Sequence, residues 1–459
     1  MDKTTEKSRA QRDQELIYQL EGRPRLRTAL PLGMQHVLAM FASNLAPLMI
    51  VAGACGLAGA DLVLMMQCAM FVSGLTTFIQ LYPIKIGKKF QIGAGLPIVM
   101  GTSFTFVPTA CSVAATGGLG AVLGASLAGS VVEVFMGIFY KYIRRFFPPL
   151  VVGSTLVTIG VNLMGAGVEY FAGGSGAADY GSVKNLAVAF TVLAIVVVIQ
   201  RFGKGVLKSS AILVGLVAGY LLCMPLGMVD TAPIAEAGWF SLPLPLQFHM
   251  TFSVPAILSF AAIYITSGLE TIGNTGGITI AGFDRDAREQ ETAGAILADA
   301  LGSTTAALFN ALPNTAFGQN AGIVSMTKVV NKWCVAVGAF VLMISGFCPK
   351  LGAIFSTIPA PVLGGAIISV FSMILINGIK MIAKAGFSER NILVLGVTFA
   401  LGMGLASDAA AVAQLPAVLR FIFSDSVAAT CIVAIVMNLV FPMKDAEDIE
   451  KAKKAMMDV

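Results

Sequence analysis

Long apolar stretches recur along this chain from residue 29 to residue 441, separated by short polar or glycine-rich connections. A helix needs roughly 20 apolar residues to cross a bilayer. Stretches near that length fall at 29–50, 62–82, 97–111, 119–140, 148–166, 185–201, 208–228, 252–274, 291–311, 315–330, 334–349, 358–380, 391–407 and 416–441. No other feature constrains the fold as strongly. Backbone polar groups in hydrocarbon must be paired within a helix or a closed barrel, and continuous apolar runs of this length read as helices. Only 12% of the 459 residues are charged, against roughly 25% in soluble proteins. The chain lacks the charge to coat a surface facing water on all sides. The expected fold class is an all-α polytopic membrane protein with fourteen transmembrane segments.

The cations test that count, because Lys and Arg concentrate in cytoplasmic loops. With the amino terminus inside, the inside segments hold Lys3, Lys7, Arg9, Arg12, Arg23, Arg25 and Arg27; Lys85, Lys88 and Lys89; Lys141, Arg144 and Arg145; Arg201, Lys204 and Lys208; Arg285 and Arg288; Lys328 and Lys332; Lys380, Lys384 and Arg390; and Lys444, Lys451, Lys453 and Lys454. That is 27 of the 30 Lys and Arg residues, leaving Lys184, Lys350 and Arg420 near outside ends. Both termini are therefore expected in the cytoplasm, with residues 1–28 and 442–459 as tails of a protein in the cell membrane. The amino-terminal tail is too long and too polar for a signal peptide.

Fourteen segments divide into two sevens, and an odd-numbered repeat re-enters from the opposite side, so the halves are expected to be inverted. The third segment of each half is short. One contains GTSFTFVP (101–108) and the other PNTAFGQN (313–320), each rich in Gly, Pro, Ser, Thr or Asn and each with a central Phe. Irregular backbone at membrane depth is tolerated only inside protein or beside a water-filled cavity. Paired interruptions at matching positions mark the binding site of a secondary transporter. Short antiparallel strands in segments 3 and 10, each leading into a half-helix, would satisfy the backbone there.

Ionisable residues inside spans are functional candidates because their burial is costly. Glu270, in YITSGLETIGNTGG, leads them, with Asn274 one turn away on the same helical face. A carboxylate accepts two hydrogen bonds from a flat donor edge, and its protonation can be linked to transport. Gln319 and Asn320 open the second half-helix, and a primary amide offers donor and acceptor together. Glu270 with Gln319 suits a planar heterocycle whose edge alternates N–H and C=O, and Phe104 adds an apolar or edge-on contact. Asp299 divides between structural and coupling roles. His36 reads as an interhelical tie or a proton carrier, Glu133 as a packing or interface carboxylic acid, and His249 as a solvated loop residue.

The seven cysteines form no CxxC pair and read as small buried hydrophobes. Two histidines leave no basis for a His-rich metal site. No HExxH, GxSxG or GxxxxGK[ST] motif is present, so neither an intramembrane enzyme nor an ATP-driven pump is expected. No catalytic residue, metal, cofactor or nucleic-acid partner is assigned.

QNAGIVSMTK (319–328) resembles the signature of the nucleobase–ascorbate transporter family: Gln-Asn-x-Gly, four residues, then Thr and a basic residue. QHVLAM (35–40), GTSF (101–104), LETIG (269–273) and Asp299, twenty residues before Gln319, are also similar to that family. The resemblance runs from about residue 29 to 441. It implies a core domain of spans 1–4 and 8–11 (29–140 and 252–349) and a gate domain of spans 5–7 and 12–14 (141–228 and 358–441), with a homodimer through the gate domain. It implies symport of a nucleobase with a proton, or in some members ascorbate with sodium. By position it implies substrate contacts from Glu270, Gln319, Phe104, Ser103, Phe317 and Gly318, and supporting roles for Asp299, His36, Asn274 and Asn320. Gln rather than Glu at 319 resembles the purine branch, xanthine or urate, rather than the uracil branch. Asn274 departs from the Asp common in purine carriers. A uracil carrier, or an anion transporter or channel on the same inverted plan, are the alternative readings.

Overall fold

The computed structural model describes residues 11–87, 90–143, 146–174 and 176–442. Lys3, Lys7, Arg9, Lys88, Lys89, Arg144, Arg145, Lys444, Lys451, Lys453 and Lys454 lie outside the described residues. Helices dominate. Their order is α1 (Leu26–Ala54), α2 (Gly59–Leu81), α3 (Val107–Ile138), α4 (Pro149–Phe171), α5 (Val183–Phe202), α6 (Ala211–Cys223), α7 (Val254–Phe283) and α8 (Glu289–Leu308). After these come α9 (Gly318–Thr327), α10 (Lys332–Ser345), α11 (Pro349–Ser356), α12 (Ala360–Ala385), α13 (Glu389–Ser407), α14 (Ala417–Ser424) and α15 (Ser426–Val440). Single-turn helices are left unlabelled.

Among the described residues, eight helices are long and apolar enough to cross a membrane, or nine if α10 and α11, bent by 81° at their junction, are one span. The chain is thus an integral, multi-pass membrane protein. Helix α3 is two helices that meet at a kink at Gly118, whose φ of 66° and ψ of −171° divide it into 107–117 and 119–138. Nothing lies within 4 Å of a Cβ built at Gly118, so backbone conformation rather than crowding calls for glycine there. Pro108 opens the first half of α3, where its missing N–H costs nothing.

Two short sheets interrupt the helices. Strands β1 (Ile84–Ile86) and β2 (Phe90–Ile92) form an exposed hairpin in the Lys-rich loop after α2, an element the apolar pattern does not predict. Strands β3 (Met100–Thr102) and β4 (Asn314–Ala316) pair antiparallel, with Gly101 opposite Thr315, and are fully buried. Two more backbone bonds extend this ribbon: Phe317 N–H donates to Val99 O at 2.9 Å and Ser103 N–H to Pro313 O at 2.9 Å. The helix after β4 starts at Gly318 and spans ten residues, shorter than the 315–330 read from composition, because residues 314–316 are spent on the ladder. Likewise the stretch at 97–111 is helical only from Val107 onward.

Packing sorts the helices into two neighbourhoods. Helices α1, α2, α7 and α8 pack on the β3–β4 ribbon, with α3 against α7 and α8 and α10 against α1 and α2, whereas α4, α5, α6, α12, α13 and α15 pack mainly on one another through the α4–α12 contact. That contact is close: a Cβ at Gly153 or Gly378 would lie 2.8 Å from the carbonyl oxygen of the other.

Candidate functional site

Both strands of the ribbon are buried, so each outer edge needs partners that are not water. Side chains supply them. On β3, Asn44 Oδ1 accepts from the Thr102 N–H at 2.7 Å and Thr77 Oγ1 from the Met100 N–H at 2.9 Å. On β4, Asn274 Nδ2 donates to Ala316 O at 2.6 Å. Ser303 Oγ both donates to Asn314 O and accepts from the Asn314 N–H, at 3.1 Å each. Gly101 allows the strands and rings to close up: a Cβ there would lie 2.4 Å from Phe317 Cε2 and 2.7 Å from Met40 Cε.

A cavity of about 490 Å³ opens between the ribbon and helices α4 and α12, within the range of small-molecule sites. One wall carries Glu270, Asn274, Phe104 and the run Phe317, Gly318 and Gln319; the facing wall is mostly apolar, with Val152, Leu156, Val370 and Ile374. Asn377, Lys380 and Lys384 also line it. Glu270 Oε2 accepts from Thr105 Oγ1 at 2.8 Å, which fixes one carboxyl oxygen. The Phe104 ring is braced edge-on by Phe371, with centroids 5.4 Å apart and planes at 81°. Phe317 caps α9, so Gly318 and Gln319 stand in its first turn, where backbone N–H groups have no intrahelical partner. Together these groups present an acceptor, an amide and a ring edge to one small volume.

Of the expected contacts, Glu270, Gln319, Phe104, Phe317, Gly318 and Asn274 line this cavity. Ser103 does not. Its Oγ accepts from the Thr105 N–H at 3.2 Å and it is buried in the turn after β3, because Ser103 continues the ladder while Phe104 is the residue turned to the cavity. His36, Asn320 and Asp299 also lie behind the surface. Asn320 Nδ2 sits 2.9 Å from His36 Nδ1, tying α9 to α1. Asp299 Oδ2 accepts from Thr271 Oγ1 and lies 3.4 Å from Thr315 Oγ1. Thr315 itself lines the cavity. Thr105, Thr315, Asn44, Thr77 and Ser303 escape a sequence reading. The retrievable signal was an uncharged polar residue in an otherwise apolar span, which is common and therefore weak. Among the described residues no group of three or more His, Cys, Asp or Glu is placed to hold a metal ion.

Comparison with known proteins adds to this geometry. The chain is 33% identical to the xanthine permease of Bacillus subtilis over 93% of this chain and 95% of that protein. It is also 33% identical to the uric acid permease PucK of Bacillus subtilis, over 90% and 95%. In fold it is similar to SLC26A9, with a TM-score of 0.63 at 12% identity, covering 91% of this chain and 66% of that one, just under two thirds. The permease-family model Xan_ur_permease matches residues 27–411. The chain belongs to this permease family, the nucleobase–ascorbate transporters, and is a transport protein rather than an enzyme.

Proposed function

We propose that the protein is a secondary active transporter that imports a purine nucleobase, xanthine or urate, together with a proton. The observation that carries this reading is the convergence of Glu270, Gln319 and Phe104 on one cavity beside two interrupted crossings. Glu270 accepts from ring N–H groups while Gln319 pairs its amide with a neighbouring N–H and C=O, and Phe104 meets the flat ring. The names of the two Bacillus relatives support the purine over other substrates. Lys380 and Lys384, one turn apart on α12, add positive charge at the cavity, which suits an acidic, oxidised purine.

The architecture behind this function is fourteen spans in two inverted repeats, with α3 and the pair α14–α15 each read around a break. Support comes from matching pairs of neighbours: α1 against α10 and α7 against α3; α5 against α6 and α13 against α15. The core domain (29–140, 252–349) carries Glu270 and Gln319, and the gate domain (141–228, 358–441) supplies the apolar wall. Core moving against gate gives alternating access. With the cation-rich loops inside, Lys380 and Lys384 are on the cytoplasmic side and this cavity faces the cytoplasm. On the other side Thr109 Oγ1 donates to Asp425 Oδ2 at 2.5 Å and ties the two domains. Helices α5 and α13, the least buried of the long apolar helices, face lipid or a second copy. Both termini are cytoplasmic, and the bilayer is the cell membrane.

Uptake of radiolabelled xanthine, urate, guanine, hypoxanthine and uracil into vesicles, with and without an inward proton gradient, tests the reading. Gradient-dependent accumulation of xanthine or urate is expected. Uracil preference would move the protein to another branch, and chloride or bicarbonate flux indifferent to purines would make it an anion carrier.

A further inference from the structure

Glu133 is a fully enclosed carboxyl that the site above does not use. It lies on the second half of α3, on a face that also carries Ser126 and Ser130. Ser126 Oγ is 3.0 Å from Tyr264 OH on α7, and Ser130 Oγ is 2.9 Å from Thr304 Oγ1 on α8. One turn on, Glu133 meets Ser267 of α7 and Asp299 of α8. Glu133 Oε1 lies beside Gly268 of α7, 3.8 Å from where a Cβ would stand. Where the two serines are satisfied, this junction is not. Glu133 Oε1 and Oε2, Asp299 Oδ1 and Ser267 Oγ all lack a hydrogen-bond partner.

Buried polar atoms are almost always paired, and four unpaired ones at a single junction of three helices point to a missing donor. The ionisable groups facing the junction are Glu133 from α3, Tyr264 and Glu270 from α7 and Asp299 from α8. None of the groups acting most strongly on Glu133 and Asp299 is a Lys, Arg or His. Two carboxylates in contact in a dry interior cannot both stay ionised. One proton between them resolves the count. The protonated acid donates to the other carboxylate, and the Ser267 hydroxyl donates to a remaining oxygen.

Asp299 also has a connection outward. Its Oδ2 accepts from Thr271 and lies 3.4 Å from the hydroxyl of cavity-lining Thr315. We propose that Glu133 and Asp299 form a proton-binding pair shared between α3 and α8, distinct from Glu270 and reached from the cavity through Thr315. At rest the pair holds one proton. A second arrives in one concerted relay: Thr315 Oγ1 passes its hydroxyl proton to Asp299 Oδ2 as it takes one from a hydronium ion in the cavity, which leaves as water, and the pair becomes neutral. Release reverses these transfers. The coupling role rests on the proton-symport reading above; the existence of the shared proton does not.

Two measurements test it. The first is infrared spectroscopy of the purified protein near neutral pH. A protonated-carboxyl C=O stretch is expected in the wild type and in Glu270→Gln, and its loss is expected in Glu133→Gln. A band unchanged in Glu133→Gln overturns the pair, as does no band in a wild type whose uptake requires sodium, since a cation would then sit between the carboxylates. The second compares purine exchange with uphill uptake in vesicles. Glu133→Gln is expected to keep exchange while gradient-driven accumulation falls about 5- to 150-fold, the usual span for coupling. Accumulation and a pH profile matching the wild type would leave Glu133 as a packing group. If Glu133→Gln fails to reach the membrane, Ser267→Ala decides: a shifted carboxyl band with an altered pH profile supports the pair, and neither change refutes it. A wild type that moves no purine sinks the transport reading, while the infrared band still decides the proton.

Discussion

Asn274 offers the sharpest test of how the binding cavity is held. Its Nδ2 donates to Ala316 O at 2.6 Å, and a Cβ at Gly318 would lie 2.8 Å from its Oδ1. The side chain therefore braces the last carbonyl of β4 and the first turn of α9, on either side of Phe317. Asn274→Ala leaves that carbonyl without its side-chain donor, a loss of about 1–3 kcal/mol for a buried group. Asn274 is only partly buried, so the lower half of that range applies. At about 1.4 kcal/mol per tenfold, purine affinity should fall about 5- to 25-fold. Asn274→Asp separates donor from shape. An ionised carboxylate cannot donate and places negative charge beside the carbonyl, whereas the protonated acid donates as the amide does. The Asp variant should therefore bind weakly at alkaline pH and approach wild-type affinity as the pH falls, while the Ala variant stays weak throughout. Radioligand binding to purified protein across a pH series reads this directly. An Ala variant with wild-type affinity, or an Asp variant indifferent to pH, would refute the brace.

Four other outcomes are expected. Glu270→Gln should retain membrane abundance but lose proton-driven purine accumulation in vesicles, since an amide cannot take up a proton. Gly101→Ala should cost about 1–3 kcal/mol, because a Cβ there lies 2.4 Å from the Phe317 ring; thermal unfolding in detergent reads the loss, and pairing it with Phe317→Ala should recover part. Asn320→Ala and His36→Ala should be non-additive in a double-mutant cycle by about 0.5–3 kcal/mol, because their side chains meet at 2.9 Å; additive effects would separate them. Near the amino terminus the Arg25 guanidinium, 2.5 Å from Asp13, holds that carboxyl below its usual value. The tether is then complete above the ordinary carboxylate range and lost as pH falls through the native value. Limited proteolysis of residues 11–25 should increase on acidification, and Asp13→Asn should remove that pH dependence.

What the sequence made legible follows from which forces are local. Multi-span helical character came from the length of the apolar runs, because a bilayer fixes that length. Gly101 and Pro313 marked where helices could not run and Pro108 where one could start, through backbone restrictions that need no tertiary context. The break at Gly118 falls between the stretches 97–111 and 119–140 that the sequence separates, and its positive φ supplies the local cause. The β1–β2 hairpin was missed because its strands, Ile-Lys-Ile and Phe-Gln-Ile, alternate apolar and polar residues over three positions each, too short a run to signal a strand. Ser103 was misplaced because a resemblance fixes position along the chain but not which side of a strand end a side chain faces. The partners of Glu270 and Asp299, Thr105 and Thr315, were present in quoted motifs but unremarkable until the fold brought α7 and α8 against the ribbon.

The ribbon's outer edges bear on why Asn stands at position 274. Strand β3 is gripped by Asn44 of α1 and Thr77 of α2; strand β4 is gripped by Asn274 of α7 and Ser303 of α8. In each half the first helix contributes an Asn and the second a hydroxyl to the strand that follows in its own half. Amides and hydroxyls are the uncharged side chains that can serve either edge: Asn274 donates to the Ala316 carbonyl, Asn44 accepts from the Thr102 N–H, and Ser303 does both at Asn314. A carboxylate could replace Asn44 but not Asn274 unless it carried a proton. The amide at 274 thus makes the brace on β4 independent of pH, and in the symport proposed above proton uptake falls to the carboxyls of Glu270 and the Glu133–Asp299 pair. On that division of labour, protonation alters the charge of the site without loosening the backbone that shapes it.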